Sequence, residues 1–203
     1  MWMTGAENLG CDFKLFVLSK GKINMNENFQ YDYYRMTGNK YIKGPKNFIS
    51  IYFNHRLRYM LLWRKFEKKP TFLTKLKLYR LTRKYGLEIS TSAKIGKGLY
   101  LGHPYNITVA GEAELGNNVN LHKGCTIGRE NRGMRNGAPK IGNNVYIGIN
   151  AIVVGNIKIG NDVLIAPNSF VNFDVPDHCI VIGNPASVHI KEEATKGYVN
   201  FLV

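Results

Sequence analysis

Between Ile89 and Val171 an aliphatic residue keeps returning at the sixth position, and glycine follows it at most of these places. The first block reads Ile89, Ile95-Gly96 and Leu101-Gly102, then restarts at Val109, Leu115-Gly116, Leu121 and Ile127-Gly128. The second reads Ile141-Gly142, Ile147-Gly148, Val153, Ile159-Gly160, Ile165 and Val171. Four positions after most of them stands a small or aliphatic residue, among them Ala93, Leu99, Ala113, Val119, Cys125, Val145, Ala151, Ile157, Val163 and Ser169. A period of six suits neither an amphipathic helix nor an ordinary strand. It is the signature of a parallel β-helix, in which three hexads make a triangular coil of about 18 residues that stacks on the next at about 4.8 Å.

In such a coil the aliphatic positions point inward in columns, while Gly and Asn take corners with unusual backbone angles. Asn117-Asn118, Asn143-Asn144 and Gly160-Asn161 suit those corners. The chain then divides into an irregular segment 1–46, a helical region 47–86, the β-helix 87–186 with a protruding loop 129–140, and a C-terminal cap 187–203 over strand edges otherwise open to pairing. Little regular structure is expected before Asn47. From Asn47 to Lys68 the residues Phe48, Ile51, Tyr52, His55, Tyr59, Leu62, Trp63 and Phe66 recur at helical spacing, and a second helix follows Pro70-Thr71 and ends at Gly86.

Composition matters chiefly through where the charge lies. The formal net charge is +14; residues 1–86 carry 18 Lys and Arg against 5 Asp and Glu, whereas residues 87–203 carry 10 against 9. Two roles suit the basic, aromatic-rich helical region. Its apolar face packs under the first coil or against a neighbouring subunit, or the region makes peripheral contact with an anionic membrane. Nucleic acid is not expected as a partner, because no recognition motif accompanies the charge. Cys11, Cys125 and Cys179 show no pairing pattern, which suits a reducing compartment and a cytoplasmic location. No secretory signal is apparent, and no run reaches the roughly 18 apolar residues of a membrane span.

Chemistry is expected where the repeat breaks. His103-Pro104-Tyr105-Asn106 interrupts it directly after Leu101-Gly102. An imidazole titrates near neutrality and can take a proton from a hydroxyl, so His103 is the candidate general base; the plain alternative is a corner histidine. A carboxylate on the second ring nitrogen improves such a base, and Glu88 stands 15 positions earlier, a little under one coil. His122, next to inward Leu121, faces outward and can line the same cleft as a substrate contact. In the loop, Arg129, Arg132 and Arg135 can hold an anionic group or a sugar, or simply keep the loop solvated. No His or Cys spacing suggests a metal ion, and no phosphate-cradling glycine loop appears.

From Glu88 to Ala186 the sequence resembles the serine acetyltransferase branch of the hexapeptide-repeat acyltransferases, including related enzymes of capsule and O-antigen clusters. The residues that carry this are Ala93-Lys94-Ile95-Gly96-Lys97-Gly98-Leu99, Gly102-His103, Val119-Asn120-Leu121, Thr126-Ile127-Gly128, Pro139-Lys140-Ile141-Gly142, Val154-Gly155-Asn156-Ile157, and Val175-Pro176 with Gly183-Asn184-Pro185-Ala186. The resemblance implies an all-β left-handed parallel β-helix behind a basic α-helical N-terminal region, a homotrimer with active sites between subunits, and acetyl-CoA as co-substrate. It implies that His103 is the catalytic base and Glu88 its carboxylate partner. It also implies a donor bound along Gly148, Ile149, Asn150 and Ala151 and by Ala166 and Pro167, its nucleotide end near Gly183 and Pro185.

Two departures bear on the acceptor. The Asp that precedes the catalytic His in serine acetyltransferases is Gly102 here, and an Arg-His pair at the end of the loop is Gly137-Ala138. Without those groups a zwitterion would leave buried charge unpaired, so free serine is expected to bind badly. The acceptor expected is a sugar hydroxyl, on a glycan of surface-polysaccharide assembly at the inner membrane face. Serine O-acetylation with a rebuilt pocket, and a non-catalytic β-helix scaffold for assembly, are the alternatives.

Overall fold

The computed structural model describes residues 27–203. Cys11 and the rest of the expected irregular start up to residue 26 lie outside them. The described chain opens with helices α1 (Glu27–Thr37), α2 (Pro45–Phe53), α3 (His55–Lys68) and α4 (Phe72–Tyr85).

The solenoid is built from three parallel faces. The first holds β1 (Leu87–Ile89), β4 (Ile107–Val109), β7 (Thr126–Gly128), β10 (Ile152–Val154) and β13 (Phe170–Val171). The second holds β2 (Lys94–Ile95), β5 (Glu114–Leu115), β8 (Lys140–Ile141) and β11 (Lys158–Ile159). The third holds β3 (Tyr100–Gly102), β6 (Asn120–His122), β9 (Tyr146–Ile147), β12 (Val163–Ile165) and β14 (Cys179–Gly183), with β15 (Ala186–Ile190) folded back antiparallel on β14. The fold is a left-handed parallel β-helix, as the hexads require.

All the aliphatic positions of the hexads are buried, from Ile89 at 4% exposure to Val171 at 0%, and so are the small residues between them. Cys125 and Cys179 are free, buried thiols among these inward residues. The corners work as their residues suggest. Asn118 and Asn144 sit at φ 58° and 55°, although the third left-handed corner falls on Asp162 (φ 52°) beside the expected Gly160-Asn161. Side-chain oxygens continue the ladder where the backbone turns: the Asn117 N–H donates to Asn143 Oδ1 at 2.8 Å, Asn143 to Asn161 Oδ1 at 2.9 Å, and Asn161 to Asp177 Oδ1 at 2.7 Å.

Coil length is less regular than expected. Leu87 pairs with Ile107, 20 residues on, because the His103–Asn106 corner adds two residues; Lys140 pairs with Lys158 at the regular 18. The loop after β7 lengthens the next winding, so that Asn120 pairs with Tyr146.

The N-terminal segment departs from the expectation of little structure before Asn47, since α1 is helical and central to the fold. The single helix expected from Asn47 to Lys68 is two, broken at Asn54, whose extended backbone (φ −103°, ψ 105°) ends α2 and starts α3. Asparagine competes for its own backbone and favours such a junction. The second helix stands as expected, capped by Thr71 and ended by Gly86 in the left-handed region at φ 66°.

These helices close the open end of the solenoid with side-chain hydrogen bonds to the first coil. Tyr59 Oη donates to the Leu87 carbonyl at 3.0 Å, Trp63 Nε1 to Ile89 at 3.3 Å, and Arg64 to Ile95 and Gly96 at 2.9 and 2.6 Å. From α1, Arg35 Nε donates to Gly98 at 3.1 Å, and Asp32 Oδ1 accepts from the Leu99 N–H at 2.8 Å. Asp32 and Arg64, both fully buried, pair at 2.8 Å and lock α1 to α3. An edge that would template another strand is thereby covered.

At the other end the expected cap is β15 followed by a strap, 191–203, that returns over the third face. Asp162 accepts from the N–H groups of Ala194 and Thr195, and the final Val203 exchanges hydrogen bonds with Asn118.

Candidate active site

The edge where the third face turns into the first gathers most of the candidate residues. Successive coils place there His103–Asn106, Lys123-Gly124, Gly148–Asn150 and Ala166–Asn168. Backbone hydrogen bonds stack them: Gly124 N–H to Tyr105 O at 2.9 Å, Asn150 N–H to Lys123 O at 3.0 Å, and Asn168 N–H to Ile149 O at 2.9 Å. Gly148 is needed here, because a β-carbon on it would lie 2.6 Å from the Pro167 nitrogen. Gly183, whose N–H donates to Ser169 Oγ at 3.0 Å, continues the edge, with Pro185 just beyond. Ile149, Ile152 and Ile182 are exposed along it, which gives the edge an apolar strip.

His103 heads this edge. It is exposed and held at φ 47°, a left-handed conformation that is uncommon for a residue with a β-carbon. The extra corner residues that put it there also pack on the helical cap, where His55 stacks on Tyr85 at 4.4 Å and meets Tyr105 at 5.2 Å.

Glu88 is the middle residue of β1. It is exposed on the outer side of β1, in register with Thr108, and among the described residues no hydrogen bond or ion pair joins it to His103.

His122 is nearer to His103 than the sequence suggests. Its ring lies against Gly102, in the space a β-carbon there would need. Tyr100 and Tyr146 flank it at 5.9 and 4.6 Å between centroids, and its buried Nε2 has no hydrogen-bond partner. Burial, and then the neighbouring His103, push its pKa down to about 4, so the ring is neutral at pH 7. His122 also opens onto a cavity of about 340 Å³, together with Arg35, Tyr100, Asn120, Tyr146 and Tyr198.

The loop arginines are mostly engaged within the chain. Arg129 pairs with Glu112, and Arg135 with Glu130 at 3.0 Å, while Arg132 stands exposed. Glu130 and Gly137 bridge the base of the loop, and Ala138 is buried. Among the described residues no group of His, Cys, Asp and Glu is placed to hold a metal ion.

Arg35, Tyr146 and Tyr198 reach the cavity from α1, β9 and the C-terminal strap, places that the six-residue repeat does not single out. One usable signal was present: Asp32 and Arg35 stand three residues apart, on one side of a helical turn.

The solenoid is a coil of hexapeptide repeats with an exposed histidine at the head of a glycine-rich edge, and residues 138–172 match the family described as bacterial transferase hexapeptide (six repeats). More particularly, the chain is similar to serine acetyltransferases. It is 38% identical over 113 residues to the enzyme of Staphylococcus aureus strain Mu50, covering 55% of this chain and 52% of that one. The Neisseria gonorrhoeae serine acetyltransferase (CysE) in complex with serine superposes with a TM-score of 0.63 at 29% identity, over 80% of this chain and 68% of that one. A serine acetyltransferase in complex with CoA gives 0.56 at 27%, over 66% and 55%. The chain spans about half the length of the curated relatives it matches.

These likenesses correct the expected acceptor. A sugar hydroxyl was inferred from the loss of the serine-gripping groups, but the relatives matched are serine acetyltransferases, one of them holding serine. The volume over Gly102 is not left empty by that loss, since the His122 ring fills it.

Proposed function

We propose that this chain is an acetyl-CoA-dependent serine O-acetyltransferase with His103 as general base. The observation that carries the reading is the edge itself: His103 stands at its head, and Gly148–Ala151 and Ala166-Pro167 line up behind it, with exposed Ile149, Ile152 and Ile182 suited to a long, largely apolar thioester arm. The likeness to a serine acetyltransferase holding CoA supports that use of the edge.

In this account His103 takes the proton of the serine hydroxyl as its oxygen attacks the thioester carbonyl. The tetrahedral adduct collapses with loss of the C–S bond, and the imidazolium returns its proton to the departing thiolate. Glu88 serves as the carboxylate that favours the imidazolium once acceptor is bound, because catalytic hydrogen bonds are often long before substrate arrives. The direct test is release of free CoA thiol on mixing the protein with acetyl-CoA and L-serine; no serine-dependent release would end this reading.

The assembly we propose is a cytoplasmic homotrimer. A groove of about 880 Å³ along the second face is bordered by charges of both signs, Lys94, Glu114 and Lys140 among them. Charges of both signs suit a face that meets a different face of the neighbouring copy, as head-to-tail closure into a three-fold ring requires, and light scattering reads the resulting mass.

The basic helices suit the surface of an anionic membrane. Phe48 and Phe53 are 70% and 80% exposed, with Ile49 and Tyr52 exposed on the same helix and Phe72 and Leu73 exposed at the start of α4. Between residues 40 and 84 there are 14 Lys and Arg and one acid, Glu67. Like charge disfavours pairing of this face with its own copy, whereas anionic headgroups complement it. Contact would be peripheral, for among the described residues no helix is long and apolar enough to cross a membrane.

A further inference from the structure

Arg35 is only 2% exposed, yet it lines the cavity beside His122. Its Nε donates to the Gly98 carbonyl at 3.1 Å, and its Nη2 to the Asn118 carbonyl at 3.5 Å and to Asn120 Oδ1. These acceptors are all neutral. The nearby carboxylate, Asp32, is taken by Arg64, and among the described residues Arg35 forms no ion pair and its Nη1 donates no hydrogen bond. Burial lowers the Arg35 pKa to about 10, which still leaves it cationic at neutral pH. A buried cation held only by neutral acceptors is poorly compensated, and a carboxylate oxygen is a matching acceptor for its remaining Nη1 donors.

The other walls define what else the occupant carries. Tyr146 and Tyr198 meet edge to face at 5.1 Å, and Tyr100 and His122 complete an aromatic surround. Tyrosine faces attract an ammonium group. A volume of about 340 Å³ suits a small molecule rather than a glycan. The cavity also adjoins the proposed base, since His122 rests on Gly102, the residue before His103.

We infer that this cavity holds the acceptor as an α-amino acid, with Arg35 receiving the carboxylate and the tyrosines flanking the ammonium. Arg35 is thus a specificity-determining residue, carried on α1 rather than on the solenoid. The inference rests on the amino-acid reading of the acceptor, and it explains how a zwitterion is held without an acid at position 102.

Calorimetric titration of the full chain with L-serine, L-alanine and ethanolamine tests this without any transfer step. Both amino acids should bind, and ethanolamine, which lacks the carboxylate, should bind at least about tenfold more weakly, the worth of one charged contact. Arg35→Gln should weaken L-alanine binding by a similar factor in a chain that still folds. Because Arg35 also anchors α1 to Gly98, the exposed Tyr198→Ala is the second variant, and it should weaken both amino acids by a smaller factor. Equal binding of ethanolamine, no binding of either amino acid, or wild-type affinity in folded Arg35→Gln or in Tyr198→Ala overturns the assignment. Arg35-dependent binding without acetyl transfer to L-serine would overturn the activity proposed above and leave the cavity's assignment standing. Transfer to L-serine with an unchanged KM in Arg35→Gln would do the reverse.

Discussion

The imidazole of His122 rests on Gly102 one coil above it, filling the space that any β-carbon at position 102 would claim. The two residues are register partners on the third face, so neither can change size without the other yielding.

Gly102→Ala should therefore destabilise the fold by about 1–3 kcal/mol, the usual cost of overpacking a filled site. His122→Ala in the same chain should recover part of it. Urea unfolding of both single variants and the double variant would give the coupling, and strictly additive effects would show that the contact is not felt.

The same contact makes His122 a reporter of pH. Its folded pKa is depressed to about 4 by burial, against about 6.5 for an unfolded histidine. Between those values the unfolded chain binds a proton that the folded chain does not. This contribution is therefore fully present above about pH 6.5 and is lost as pH falls towards 4. NMR titration of the ring should show it neutral at pH 6, and His122→Gln should flatten the acid limb of the stability curve.

At the solenoid's capped end, the buried Asp32–Arg64 pair joins α1 to α3 while both residues also bond the first coil. Asp32→Ala leaves a guanidinium buried without its partner and should cost about 3–5 kcal/mol. Glu67→Ala, removing a half-exposed second partner at 3.3 Å, should cost under about 1 kcal/mol. Chemical denaturation separates these outcomes.

For the basic helical face, the chain should co-sediment with vesicles containing phosphatidylglycerol and not with pure phosphatidylcholine, and salt should weaken the association. Phe48→Ser with Phe53→Ser should reduce partitioning at least about tenfold, given roughly 1.5–3 kcal/mol for each aromatic side chain buried. Equal binding to neutral vesicles would remove the electrostatic argument.

How much of this was legible in the sequence follows from the range of the interactions. The hexads were readable because each strand and corner is specified within six residues: Ile141-Gly142 and Asn143-Asn144 state an inward position and a turn with no help from elsewhere. The helix over 72–85 was readable for the same reason, through Thr71 at its start and Gly86 at its end. The role of α1 was hidden, because Asp32 finds Arg64 and Leu99 only across long stretches of chain. The acceptor was misjudged by treating Gly102 as a loss, when the missing volume is supplied by His122 from the next coil and a fixed cation by Arg35 from a helix read as irregular.

His103, at the head of the glycine-rich edge, is the group proposed to deprotonate the serine hydroxyl. The measurement that meets this role most directly is the rate of CoA release from acetyl-CoA with L-serine, for the wild-type chain and for His103→Ala, alongside their melting temperatures. Serine-dependent release is expected from the wild type and a loss of about 10²–10⁴-fold in the variant, the range of general base catalysis, with melting unchanged. A folded His103→Ala that releases CoA at the wild-type rate would contradict that role.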